Sequence, residues 1–197
     1  AFEDVAEELA AANNFEQIVN YWNSFQVVQS QQRKLSAPVR LALATSFWET
    51  KDPDNASRML KPLLSAKTAP ELLDKAVLLS LSILKDDLAW KQIIELAGSA
   101  FSWDITASTL LDLKYSLALA QETLGKTKAS RPLWAELMED KHLSPQREAL
   151  ASYYLAQEAN THGDYKMANI YANNALDLFL EYQFDPQRLK STLELLI

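Results

Sequence analysis

Two histidines, a few adjacent acids and five tryptophans are the residues of this 197-residue chain whose types could carry chemistry. His142 or His162 could serve as a general base or a metal ligand, but neither has a second histidine or a cysteine within helical reach. The chain has no cysteine at all, which removes disulfides, thiolate ligands and thiol nucleophiles. Asp86-Asp87 and Glu139-Asp140 are adjacent carboxylates, yet both fall at the ends of helical patterns, where solvent and local capping account for them. There is no Walker loop, dinucleotide fingerprint, nucleophile elbow or His-Glu-x-x-His helix. The expectation is a chain that is not an enzyme and has no cofactor or metal. Tryptophan can stack on sugars, but Trp22, Trp90 and Trp134 fall where helices should meet, so packing accounts for them. Trp103 and Trp48 are less clearly buried, and Trp48 is the one expected to reach a groove.

The elements that would position these residues are helices. Leu and Ala together number 60 residues, whereas Val, Ile and Thr number 22 and Gly only three. Strong helix formers therefore dominate and β-branched residues are scarce. No Asn-Gly or Asp-Gly pair joins two alternating apolar stretches, so no hairpin of strands is signalled. A net charge of −7 and a pI near 4.9 argue against nucleic acid or an anionic membrane as partner. The most basic run, Arg33-Lys34, is two residues long. The longest apolar stretch, Ala76 to Leu84, is about half the ~20 residues a membrane span requires, so no insertion is expected. A soluble protein of a bacterial cytoplasm or periplasm fits, and the missing cysteines do not separate the two. The chain opens on Ala1 with no basic and apolar leader, consistent with a removed signal or a shortened chain.

Self-similarity organises the whole sequence. Ile18, Ala56, Ile93, Ser130 and Ala168 recur at intervals of 38, 37, 37 and 38. Four residues on stand Trp22, Leu60, Ala97, Trp134 and Ala172, and three further stand Phe25, Leu63, Ala100, Leu137 and Ala175. That i, i+4, i+7 set is one face of a helix. A preceding helix carries Val5, Leu43, Ser80, Leu117 and Leu155, then the mostly small Ala6, Ala44, Leu81, Ala118 and Ala156, and one turn later Leu9, Phe47, Leu84, Gln121 and Ala159. Leu81 is large for that series and raises a one-residue slip to Ser80. Each unit is thus helix A, a short turn, helix B and a longer connection. Gly125, Gly163, Asn13-Asn14, Asp52-Pro53 and Asp86-Asp87 mark the turns. Ser36 with Pro38, the capping-box spacing Thr68 to Glu71, Asp104 and Ser144-Pro145 mark helix A starts. Pro62 and Pro132 should shorten or kink their B helices. The spacing predicts one all-α solenoid with five repeats, approximately 1–35, 36–68, 69–104, 105–144 and 145–184, and a terminal helix over 186–197. The apolar Leu193, Leu195, Leu196 and Ile197 favour a sixth unit cut short, in a piece of a longer protein, over a capping helix.

The segment Ala149 to Asp177 resembles a tetratricopeptide repeat (TPR): Leu155-Ala156 in helix A, Gly163-Asp164-Tyr165 at the turn, Ala168, then Ala175-Leu176. The unit around Leu117-Ala118, Gly125 and Trp134 is a weaker match. The repeats average about 37.5 residues against the ~34 of that family, which puts extra residues in the connections. The resemblance implies a right-handed superhelical solenoid and a protein- or peptide-binding scaffold that uses its concave helix A surface. The corresponding candidates are Leu41, Thr45, Trp48, Lys75, Lys85, Tyr115, Glu122, Tyr153, Gln157 and Asn160. The Lys, Asn and Arg clamp that chaperone-tail members use for a terminal carboxylate is absent: Leu41, Leu78, Tyr115 and Tyr153, then Thr45, Ser82, Leu119 and Gln157, stand in its place. The alternative is a peptide- or ligand-sensing regulatory domain of a larger regulator.

Overall fold

The computed structural model describes residues 2–28, 35–183 and 185–196, with the side chains of 26–28 and 186 left aside. Arg33-Lys34 and Ile197 lie outside the described residues. Eleven α-helices account for the fold among those residues, with no strand: α1 (Phe2–Ala11), α2 (Phe15–Val28), α3 (Ala37–Glu49), α4 (Pro53–Leu60), α5 (Pro70–Asp86), α6 (Trp90–Ala100), α7 (Ala107–Thr123), α8 (Thr127–Met138), α9 (Pro145–Thr161), α10 (Tyr165–Tyr182) and α11 (Pro186–Glu194). No described helix is long and apolar enough to cross a membrane. The helices form two compact units, 1–110 and 111–197, with the dividing point inside α7.

Every A-to-B turn is built the same way. A left-handed residue follows each A helix, at Asn13, Lys51, Leu88, Gly125 and Gly163, and these positions keep the 38, 37, 37, 38 spacing. The next N–H reaches back to the helix: Asn14 to the Leu9 carbonyl, Asp52 to Phe47, Ala89 to Leu84, Lys126 to Gln121 and Asp164 to Ala159, at 2.7–2.9 Å. The left-handed residue's own N–H bonds the carbonyls of Ala10, Trp48, Lys85, Glu122 and Asn160. These paired bonds are Schellman caps, which satisfy carbonyls a helix end would otherwise leave open. Leu88 stands seven residues after Leu81, as Gly125 does after Ala118, so the third unit keeps register without a slip.

Helix starts are more varied. Proline opens α4, α5, α9 and α11, where its missing N–H costs nothing. Asp52, Asp164 and Asp185 cap α4, α10 and α11 by accepting the N–H of Asn55, Met167 and Arg188. The Thr68–Glu71 capping box does not form: the cap of α5 is Ala69, and Pro70 at the next position sets the start instead. α7 begins three residues after Asp104, and Asp74 of α5 holds its approach by accepting the Thr106 N–H at 3.0 Å. Glu3 of α1 does the same for Ser36, whose N–H it accepts at 2.9 Å. α4 lasts eight residues before a 3-10 turn, Lys61–Leu63, that contains Pro62. Pro132 lies within α8, which continues to Met138.

The first unit packs Val39, Leu43, Ala44 and Phe47 of α3 against Ala6, Ile18, Ala56, Leu60 and Leu63. The second centres on α9, whose Leu150, Tyr153 and Leu155 share a core with Trp134, Leu137, Ala175 and Phe179. Burying one such large apolar side chain is worth about 1.5–3 kcal/mol. The alanines at the inter-helix positions, Ala44, Ala118, Ala156, Ala168 and Ala172, are at most 2 % exposed, and their size lets neighbouring helices close up.

Leu88 is held left-handed although it carries a side chain and is 66 % exposed. Leu88→Gly should therefore raise stability by about 0.5–1 kcal/mol in denaturant titrations, because the backbone penalty goes and little packing is lost. Gly163→Ala should lower it by about 1 kcal/mol through backbone strain alone, since an added Cβ meets nothing within 4 Å.

Candidate functional site

The turn at Gly125 starts the most developed polar cluster of the second unit. Its N–H bonds the Glu122 carbonyl at 2.8 Å and fixes the last turn of α7 against the first turns of α8. Trp134 of α8 is 1 % exposed, and a buried indole needs an acceptor for its N–H. Glu122 supplies it: its Oε1 accepts from Trp134 Nε1 at 3.2 Å and from the Ser130 hydroxyl. The Ser130 oxygen also lies 2.9 Å from the Thr127 carbonyl. A hydroxyl has one proton, and the carboxylate is the stronger acceptor.

The aromatic rings around Trp134 continue the cluster. Tyr154 stacks on it at 5.3 Å between ring centroids, and Tyr115 meets it edge-on at 5.8 Å. Arg147 lies over the Tyr115 ring at 4.9 Å and pairs with Asp112; Arg188 lies 6.0 Å from the Tyr154 centroid and pairs with Asp185. Burial raises the Tyr115 phenol above its ordinary value, against the opposing pull of Arg147 and Arg188. Burial likewise raises Tyr154, and Arg188 offsets only part of the shift through charge and a hydrogen bond. For Arg188, burial disfavours the charge, but Tyr154 and Asp185 outweigh it and hold the guanidinium above its usual range.

A cavity of about 360 Å³ opens beside this cluster. Glu122 and Thr127 line it from the α7–α8 turn, Tyr154, Gln157, Glu158, Asn160 and Thr161 from α9, then His162 and Leu195. The Gln157 amide donates to the Tyr153 hydroxyl at 2.7 Å. Glu158 pairs with Arg131 at 3.0 Å and with His162 at 3.2 Å, while the His162 Nδ1 also lies 2.9 Å from the Glu158 carbonyl. Among the described residues no three His, Asp or Glu side chains are grouped to hold a metal ion.

The structure brings three of the ten sequence candidates to this cavity: Glu122, Gln157 and Asn160. Tyr153 is 8 % exposed and meets the cavity-lining Gln157 through its hydroxyl. Tyr115 is in the same unit, half-buried under Arg147. The other five belong to the first unit. Leu41 is buried in its core, and Thr45 returns its hydroxyl to the Leu41 carbonyl at 3.0 Å. Trp48 packs half-buried against that core with the Lys51 ammonium 5.7 Å from its ring centroid. Lys75 is exposed and Lys85 half-buried. Spacing along the A helices misses Tyr154, Glu158 and Thr127. The first two sit one residue off the candidate series, and the third opens a B helix. His142 is exposed, with its N–H on Asp140, and takes no part.

No protein-family model matches the sequence, and no curated protein does either. Solved structures are similar to it. One is YrrB, described as a TPR protein with an unusual peptide-binding site: 13 % identity, 98 % of this chain and 90 % of that chain covered, TM-score 0.67. Another is the C-terminal part of a TPR repeat-containing protein from Cytophaga hutchinsonii, at 11 % identity, 98 % and 93 % coverage and TM-score 0.42. The likeness to YrrB gives this chain an all-α, TPR-like fold.

Two measurements follow from the cluster. Glu122→Ala strands the buried indole N–H and should cost about 1–3 kcal/mol in unfolding free energy, whereas Glu122→Gln keeps an acceptor there and should cost clearly less. The raised phenols predict a sign in alkali. Folded Tyr115 and Tyr154 hold their protons after the unfolded chain has released them, so stability falls as pH climbs above ~10. Tyr154→Phe should flatten that fall in thermal melts across the alkaline range.

Proposed function

We propose that the chain is a protein- or peptide-binding scaffold and that the α7–α9 cavity is one of its contact points. One observation carries this reading: Glu122, Gln157 and Asn160, from two successive A helices, converge on a single cavity beside a rigid aromatic cluster. Such a surface has what peptide recognition uses. Amides can pair with a main chain, a carboxylate can select a side chain, and a packed wall keeps both in place before binding. The peptide-binding site named for YrrB, whose fold this chain shares, supports the same reading. The one histidine lining the cavity faces Glu158 and solvent.

The test is selection from a random-peptide phage library against the immobilised chain. Selected peptides should perturb the backbone amide signals of residues 157–162 in NMR spectra. Replacing both Gln157 and Asn160 by Ala should weaken them roughly tenfold, the loss of one or two net hydrogen bonds. Failure to select any peptide, or binders that leave those signals unmoved, would sink the proposal.

A further inference from the structure

The carboxylates at the cavity are not equivalent, and the difference specifies an occupant. Glu158 is already neutralised: Arg131 and His162 both approach its Oε1. Among the described residues Glu122 has no ion-pair partner, the pairs there being those of Glu136, Glu158, Asp112 and Asp185. Both of its side-chain hydrogen bonds, from Ser130 and Trp134, converge on Oε1, and no described residue donates to Oε2. Those two donors are neutral, so they fix the carboxylate in place and leave its charge uncompensated. At about 360 Å³ the cavity is at the lower end of the ~300–1,000 Å³ range of small-ligand pockets, room for a side chain rather than a helix. The chain as a whole carries −7, which draws cations and repels anions at long range.

We infer that the cavity takes a basic side chain, lysine or arginine, of the bound peptide, with Glu122 Oε2 as its counter-ion. This rests on the peptide-binding reading and adds the chemical class of the residue recognised. A preorganised carboxylate costs little to reorganise on binding, and a charge-assisted hydrogen bond to it is about twice as strong as a neutral one. An acidic or phosphorylated residue would instead face the Glu122 charge, and no lysine or arginine is among the described residues that line the cavity. Asn160, exposed one turn beyond Gln157, is placed to meet the flanking peptide group.

The experiment uses the whole ¹⁵N-labelled chain and three probes: N-acetyl-lysine amide, N-acetyl-norleucine amide, and norleucine amide with its α-amine free. The reporters are the Trp134 indole N–H, assigned through Trp134→Phe, and the amides of residues 157–162. The lysine probe should shift both sets, and acetyl-norleucine amide should shift neither. Glu122→Gln, which keeps the Ser130 and Trp134 bonds, should weaken the lysine probe roughly tenfold. Asn160→Lys keeps Glu122 but supplies an internal ammonium, and should weaken it comparably. Equal shifts from acetyl-norleucine amide, an unchanged affinity in both variants, or no shift from any probe would overturn the inference. Binding of the free-amine norleucine probe alone would also overturn it, by assigning the cavity to a chain terminus. If library-selected peptides dock at residues 157–162 without lysine or arginine, this inference falls and peptide binding stands. If no peptide is selected, the underlying reading falls.

Discussion

The left-handed residue after each A helix is the constraint on which the rest of the fold depends. Two backbone bonds at that point end one helix and aim the next, so that the apolar stripes of A and B face each other three residues apart in the chain. Without it the small positions of A and the Ile18-type positions of B would not meet. Glycine meets the constraint at 125 and 163 without a steric penalty, whereas Asn13, Lys51 and Leu88 accept one. The packing of each hairpin must therefore exceed a local cost of about 1–2 kcal/mol at those three turns.

The same turn creates the chemistry of the second unit. Gly125 lets α8 return at once along α7, and the return brings Trp134 under Glu122. A buried indole and a carboxylate then satisfy each other, and Tyr115 and Tyr154 close around the ring. Each arginine over those tyrosines is paired to its own aspartate, so the cluster holds aromatic surface and charge together without stranding either. Rigidity here comes from packing that the core requires in any case.

Much of this was legible in the sequence, for reasons that can be named. Helix starts at Pro38, Pro145 and Pro186 show because proline's fixed φ and missing donor suit only a few positions. Gly125 and Gly163 show because few other residues take a positive φ readily. Lys51 and Leu88 do the same work unseen, since nothing in a lysine or a leucine advertises a left-handed backbone. The capping box at Thr68 failed because a proline one residue before Glu71 already determined the helix entry. Of the residues that line the cavity, spacing had named Glu122, Gln157 and Asn160, because a repeat carries equivalent residues to equivalent places. It also picked Leu41 and Tyr153, which the neighbouring helices cover. Periodicity along one helix says which residues share a face, but not how much of that face the next helix takes. Tyr154 escaped for the converse reason: it follows Tyr153, off the series, yet it stacks on Trp134 and lines the cavity.

One repeat position links the turn to recognition. Ala10, Trp48, Lys85, Glu122 and Asn160 are equivalent, and in all five the carbonyl accepts the N–H of the left-handed residue at 2.8–3.1 Å. The fold uses the backbone of that position in every unit, whereas its side chain serves differently: Trp48 packs on the first unit's core, and Glu122 accepts the Trp134 indole N–H. The residues there are accordingly an alanine, an indole, an ammonium, a carboxylate and an amide, whereas one turn earlier the Ala6, Ala44, Leu81, Ala118 and Ala156 series is uniformly apolar and buried. A position fixed by its main chain can carry different side-chain chemistry from unit to unit, each side chain fitted to its own neighbours. Glu122 and Asn160 occupy two such positions in successive hairpins, and the cavity lies where they meet.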